Sequence, residues 1–146
     1  MTHREGACLC GAVKVAGDFA DEVLACHCTQ CQVWTGGGPL YSVHAKGPVT
    51  VTGEARLTRY RASTWGERVS CAGCGSTLWW QMQGRAITSV AAGLFAGQDG
   101  LRVTREIFID TRPDWLPPHA GADQSTEAEE QAKLAAYLKE QSNDHV

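Results

Sequence analysis

From Cys8 to about Asp110 the apolar positions fall in short runs of β-branched and aromatic residues, broken by glycine at close intervals. That pattern predicts a mostly antiparallel β domain. The expected strands are Ala12–Ala16, Glu22–Ala25, Leu40–His44, Ala55–Arg61, Arg68–Ser70, Thr77–Met82, Ile87–Ala91, one around Val103, and Ile107–Ile109. Apolar and polar residues alternate within Ala55–Arg61, as on a strand with one wetter face. No βαβ rhythm and no repeat of fixed period is present. Beyond Asp110 the character changes. Thr111-Arg112-Pro113-Asp114-Trp115-Leu116-Pro117-Pro118 reads as an extended irregular segment, because each proline fixes its own φ and turns its predecessor away from α; Trp115 and Leu116 are expected to pack it down. Thr126-Glu127-Ala128-Glu129 has the form of a capping box opening a helix, with Glu129 four residues before Lys133. Leu134, Tyr137 and Leu138 give that helix a narrow apolar stripe, expected to dock on the chain's own domain or on a second copy in a homo-oligomer. Ser142–Val146 are expected to fray. The organisation is thus a β domain over 1–115 and a Pro-rich extension with a C-terminal helix over 116–146, packing on it.

Composition changes this picture in one respect. With 146 residues the chain is sized for one domain, yet 16 glycines, 5 prolines and 7 cysteines leave few core aliphatics. Something besides apolar burial is expected to hold the fold. A formal charge of −3 without any basic block excludes the electrostatic footprint of a nucleic-acid binder. No stretch approaches a membrane span, and no apolar segment follows the N-terminus as in a secretory signal, so the expectation is a soluble cytoplasmic protein with no membrane partner.

The cysteines supply the missing element. Without a secretory signal an odd count argues against a disulfide framework and for metal ligation. The positions are Cys8-Leu9-Cys10, Cys26-His27-Cys28-Thr29-Gln30-Cys31 and Cys71-Ala72-Gly73-Cys74, which divides as four plus three. Cys8 and Cys10 with Cys71 and Cys74 have the form of a structural zinc knuckle, two short pairs each followed by a glycine, Gly11 or Gly75, that permits φ > 0 around a metal. Four unligated buried thiols are the alternative. Such a centre contributes folding free energy rather than chemistry.

Cys26, Cys28 and Cys31 can occupy three corners of a tetrahedron and leave the fourth open, as a catalytic metal requires; otherwise His27, His3, His44 or His119 closes it as a second structural site. Three thiolates on Zn²⁺ leave a net charge of −1 and a weak Lewis acid, better suited to a soft sulfur ligand than to generating hydroxide. A small-molecule thiol or thiol adduct is therefore the expected partner. An iron–sulfur cluster is less favoured, since the longer spacing those clusters show is missing.

These residues, together with Cys71-x-x-Cys74-Gly75-Ser76 and Ile107-Phe108-Ile109-Asp110-x-x-Pro113-Asp114-Trp115, resemble the glutathione-dependent formaldehyde-activating enzyme (GFA) family, which includes the centromere protein V proteins. The resemblance spans about Gly6 to Trp115. It implies a β-tent-like all-β fold with antiparallel sheets. It also implies two zinc ions per chain, one structural on Cys8, Cys10, Cys71 and Cys74 and one catalytic on Cys26, Cys28 and Cys31. The activity implied is that of a carbon–sulfur lyase acting on the adduct of glutathione and formaldehyde. A non-catalytic zinc-stabilised binding module is the alternative. Two positions depart from the family pattern: Glu106 stands where many members carry His, and Trp34-Thr35-Gly36-Gly37-Gly38-Pro39 replaces a more basic stretch. The family thus carries over more firmly than glutathione as substrate.

Around the triplet, His27 fits either a proton shuttle or a hydrogen bond that orients the ligands. The Gly36–Gly38 run fits a substrate approach or a plain turn. Trp34, Tyr41, Trp65, Trp79 and Trp80 fit core or cleft, and Trp79 and Trp80, being adjacent on a strand, must face opposite ways. Tyr60, Ser63 and Arg68 match polar positions of the family, with Arg68 either clamping a carboxylate or solvated at the surface.

Overall fold

The computed structural model describes residues 1–143, in two compact units. The first comprises Met1–Leu24 and Tyr41–Arg102; the second comprises Ala25–Leu40 and the chain from Val103 onward.

In the first unit, strand β1 (Thr2–Ala7) runs antiparallel to β2 (Lys14–Cys26), from Thr2 opposite Phe19 to Ala7 opposite Lys14. The start of β2 also pairs with β4 (Thr50–Thr52), and β3 (Leu40–Ala45) pairs antiparallel with β8 (Ser89–Ala91). A separate antiparallel sheet is formed by β5 (Leu57–Tyr60), β6 (Gly66–Cys71) and β7 (Thr77–Met82). Val15, Phe19, Val43, Val69, Leu78, Trp79 and Val90 of these strands are buried together with Val13 and Phe95 of the connections, and the Phe19 and Phe95 rings are 5.0 Å apart. Trp79 faces this core while Trp80, on the opposite face, meets Trp65 edge-on at 5.1 Å.

The two runs Ala12–Ala16 and Glu22–Ala25 merge into the single strand β2, which starts at Lys14, and β1 gives Gly17, Asp18 and Phe19 between them backbone partners. Thr2–Ala7 itself lacks apolar alternation and is held by that pairing and by Arg4, buried and donating to Asp21 at 2.8 Å. In Ala55–Arg61 only the second half is strand, since Glu54–Arg56 forms a 3-10 turn. That turn opens at Gly53, whose φ is +86° and where a Cβ would run into the Ala12 carbonyl. Gly53→Ala is therefore expected to cost about 2 kcal/mol or more, read as a lower thermal midpoint at unchanged zinc content.

In the second unit, helix α1 (Thr29–Thr35) starts at Cys28 and stops at Gly36, and β9 (Arg102–Ile107) is paired in parallel by β10 (Asp123–Ser125). The expected strand Ile107–Ile109 ends at Ile107, because Phe108 adopts φ +57° and turns the chain into a 3-10 segment, Ile109–Thr111. Helix α2 (Glu127–Asn143) opens on the expected box: the Glu129 amide donates to Thr126 Oγ1 at 3.2 Å, and Asp110 Oδ1 accepts from the Glu127 amide at 2.9 Å. Ser142 and Asn143 continue the helix where fraying was expected; 144–146 lie outside the described residues. The stripe of α2 is largely bare, with Tyr137 and Leu138 exposed. The class is thus mostly β, with a C-terminal helix. Among the described residues no helix is long and apolar enough to cross a membrane.

Candidate metal centres

Cys8, Cys10, Cys71 and Cys74 converge in the first unit, with all four sulfurs within 4.8 Å of one another. Cys8 and Cys10 lie on the β1–β2 connection; Cys71 ends β6, and Cys74 sits in the tight turn before β7. Gly11 and Gly75 take φ of +80° and +77°, as the knuckle reading requires. The Cys8–Cys10 and Cys10–Cys71 sulfur separations are 3.6 and 3.8 Å. A zinc tetrahedron with Zn–S of about 2.3 Å has an edge of about 3.8 Å, so the set fits the ion. Amide and hydroxyl donors surround it: the Val13 amide donates to Cys8 Sγ at 3.3 Å, and the Ser76 hydroxyl lies 3.2 Å from Cys74 Sγ. Ser76, first through its hydroxyl and then its amide, draws the Cys74 thiol down to about 5. Cys10 rises to about 11, because the neighbouring Cys8 and Cys74 sulfurs outweigh the stabilising Ala12 amide. Were all four to be thiolates, a cation would be needed to neutralise them.

Cys26, Cys28 and Cys31 converge in the second unit, also within 4.8 Å of one another. Cys26 ends β2, Cys28 caps α1 by accepting the Cys31 amide at 3.3 Å, and Cys31 is buried in the first turn. The Cys28 and Cys31 sulfurs, then burial, push the Cys26 thiol well above its ordinary range. Among the described residues no nitrogen of His3, His27, His44 or His119 and no carboxylate oxygen joins this group. His27, between two of the cysteines, is gripped along its backbone. Its amide donates to the Ile107 carbonyl at 3.0 Å, and its carbonyl accepts from Gln32 Nε2 at 2.8 Å and Thr111 Oγ1 at 2.9 Å. Its ring donates from Nε2 to Glu106 Oε1 at 2.8 Å, both side chains being wholly buried.

Other expected residues fall as follows. Gly36 and Gly37 carry φ of +88° and +116° and are exposed, and the tip of the Trp115 indole lies 3.9 Å from where a side chain on Gly37 would begin. Trp115 itself is 68% exposed, so the packing expected of it is not made. Arg68 is buried on β6 rather than solvated; Tyr60 is exposed, and Ser63 Oγ accepts the Gly66 amide at 3.0 Å. Gln32, Thr111 and the partners of Glu106 were not foreseen. Thr and Gln carry no signal in sequence, and the Glu106 pairing with His27 spans 79 positions.

A mostly β scaffold with two converging cysteine clusters defines a β protein with two thiol sets that could each hold a metal ion. The profile of the glutathione-dependent formaldehyde-activating enzymes matches residues 3–111, and the chain belongs to that family. It is 28% identical over 116 residues to an uncharacterized lyase of Schizosaccharomyces pombe (strain 972 / ATCC 24843), an alignment covering 78% of this chain and 84% of the relative. A crystal structure of a Rhodobacter sphaeroides protein, a structural genomics target, matches the fold with a TM-score of 0.54 at 23% identity, over 66% of this chain and 91% of that one.

Proposed function

We propose that the chain is a zinc-dependent carbon–sulfur lyase acting on a thiol–aldehyde adduct of the S-hydroxymethylglutathione type. The observation that carries this reading is the contrast between the two clusters: four sulfurs form a closed set, while three form a set that no other ligand among the described residues completes. The family and the relative's name as a lyase support it. In the synthetic direction the thiol sulfur bonds to the carbonyl carbon, the C=O π bond opens, and the thiol proton ends on the oxygen; cleavage reverses each change. Cys26, Cys28 and Cys31 would hold a zinc ion, which would supply a soft position that eases thiol deprotonation. The chain's part is to hold those three sulfurs, with Cys31 fixed in the first turn of α1 and Cys28 doubling as its cap. His27 is committed to Glu106 and wholly buried, which supports an orienting role over proton shuttling. Cys8, Cys10, Cys71 and Cys74 would hold a second, structural zinc.

Protein purified without chelator or added metal is expected to carry two zinc ions per chain by elemental analysis. In the cobalt-substituted chain, added glutathione or another small thiol should increase the thiolate-to-cobalt absorption. One zinc per chain and no response to thiol would instead identify a zinc-stabilised binding module.

A further inference from the structure

The Glu106 carboxylate is enclosed by donors. Oε1 accepts from His27 Nε2 at 2.8 Å and from His119 Nδ1 at 3.0 Å; Oε2 accepts from the His119 amide at 3.1 Å and from Gln124 Nε2 at 3.4 Å. Burial pushes this acid up, but those four donors, His119 and His27 foremost, outweigh it and hold the group down to about 2. An ionised carboxylate can only accept. Each imidazole must then carry a proton on the nitrogen facing Oε1, His27 on Nε2 and His119 on Nδ1. One oxygen thereby holds two histidines in opposite tautomers.

For His27 the arrangement has a cost that shows it is imposed. With Nε2 turned to Glu106, Nδ1 is buried without a hydrogen-bond partner. Leaving a buried nitrogen without a partner is unfavourable, and the ring holds this orientation against that penalty. The grip is continuous with the backbone, since Ile107, next to Glu106, accepts the His27 amide. Consecutive residues of β9 thus hold the residue between Cys26 and Cys28 by ring and by main chain. A relay role does not fit. To pass a proton from one imidazole to the other Glu106 would have to take one, and four donors favour its charged form.

We propose that Glu106 is the positioning residue of the tri-cysteine centre, fixing the tautomers of His27 and His119 and thereby the ligating arrangement of Cys26 and Cys28. This rests on the reading of the triplet as a metal centre.

The first test needs no variant. Long-range ¹H–¹⁵N correlation on the full zinc-loaded chain with ¹⁵N-histidine should show His27 protonated at Nε2 and His119 protonated at Nδ1. His27 protonated at Nδ1 instead would overturn the proposal. The second test is Glu106→Gln in the cobalt-substituted chain, with the four-cysteine centre as internal reference. The bands of the tri-cysteine cobalt should shift and its affinity fall about 10–100-fold, while the reference stays put. Wild-type bands and affinity in Glu106→Gln would reduce Glu106 to packing and end the proposal. Should that variant not fold, Glu106→Asp, which keeps the charge on a shorter arm, is expected to give a smaller shift of the same kind, and none would count equally against it. A wild-type triplet that takes no cobalt would instead remove the metal reading, and with it any centre for Glu106 to position.

Discussion

Cys71→Ser is expected to leave no cooperatively folded protein at 37 °C. Cys71 is 2% exposed at the end of β6, and its sulfur lies 3.8 Å from Cys10 Sγ in the closed set. Structural zinc in small domains contributes on the order of 10 kcal/mol of apparent binding free energy, within the 5–15 kcal/mol that is the whole stability of a typical domain. A serine hydroxyl at this position offers a hard, neutral donor in place of a thiolate and leaves three sulfurs around an under-ligated ion. Thermal unfolding followed by circular dichroism, with zinc counted on whatever soluble material is recovered, gives the answer. A variant that keeps the parent's midpoint would show that the four-cysteine centre is not what holds this fold.

Cys28→Ser should do the reverse. It removes one corner of the open triplet yet leaves the start of α1 intact, because serine caps a helix at least as well as the cysteine whose sulfur now accepts the Cys31 amide. The expected result is a folded chain with one zinc and a loss of adduct-forming or adduct-cleaving activity of roughly 10³-fold or more, corresponding to several kcal/mol of stabilisation supplied by the metal. Calorimetry and zinc analysis together separate the two variants. Equal destabilisation by Cys71→Ser and Cys28→Ser would contradict separate roles for the two clusters.

The cysteines were legible because their chemistry is written in spacing. Two residues between Cys71 and Cys74, and three sulfurs within six positions from Cys26, already divide seven thiols into the sets that converge in space. Strands with strong apolar content, such as Thr77–Met82, were legible for the same local reason. β1 was not, since its residues are polar and its strand character comes from the partner β2. Helix α1 was not, since a cysteine cap is not among the usual start signals. The end of β9 turns on Phe108 taking a left-handed φ, a conformation no side chain of its kind advertises. Glu106 was visible only as a departure from the family pattern. Its two histidines lie 79 and 13 positions away, and only the folded chain brings them onto one oxygen.

The second unit is assembled from two distant stretches, Ala25–Leu40 and the chain beyond Val103, and this orders events during synthesis. At about 5–20 residues per second a ribosome needs about 4–16 s to traverse the 79 positions between His27 and Glu106. Cys74, the last of the first unit's cysteines, is added before Glu106 within that interval, while the triplet still waits without its clamp. Nascent chains therefore pass through a stage in which one thiolate centre can be complete and three reactive sulfurs are still unshielded. The stretch of synthesis during which Cys26, Cys28 and Cys31 lack the Glu106 clamp on His27 is thus set by the topology of the chain.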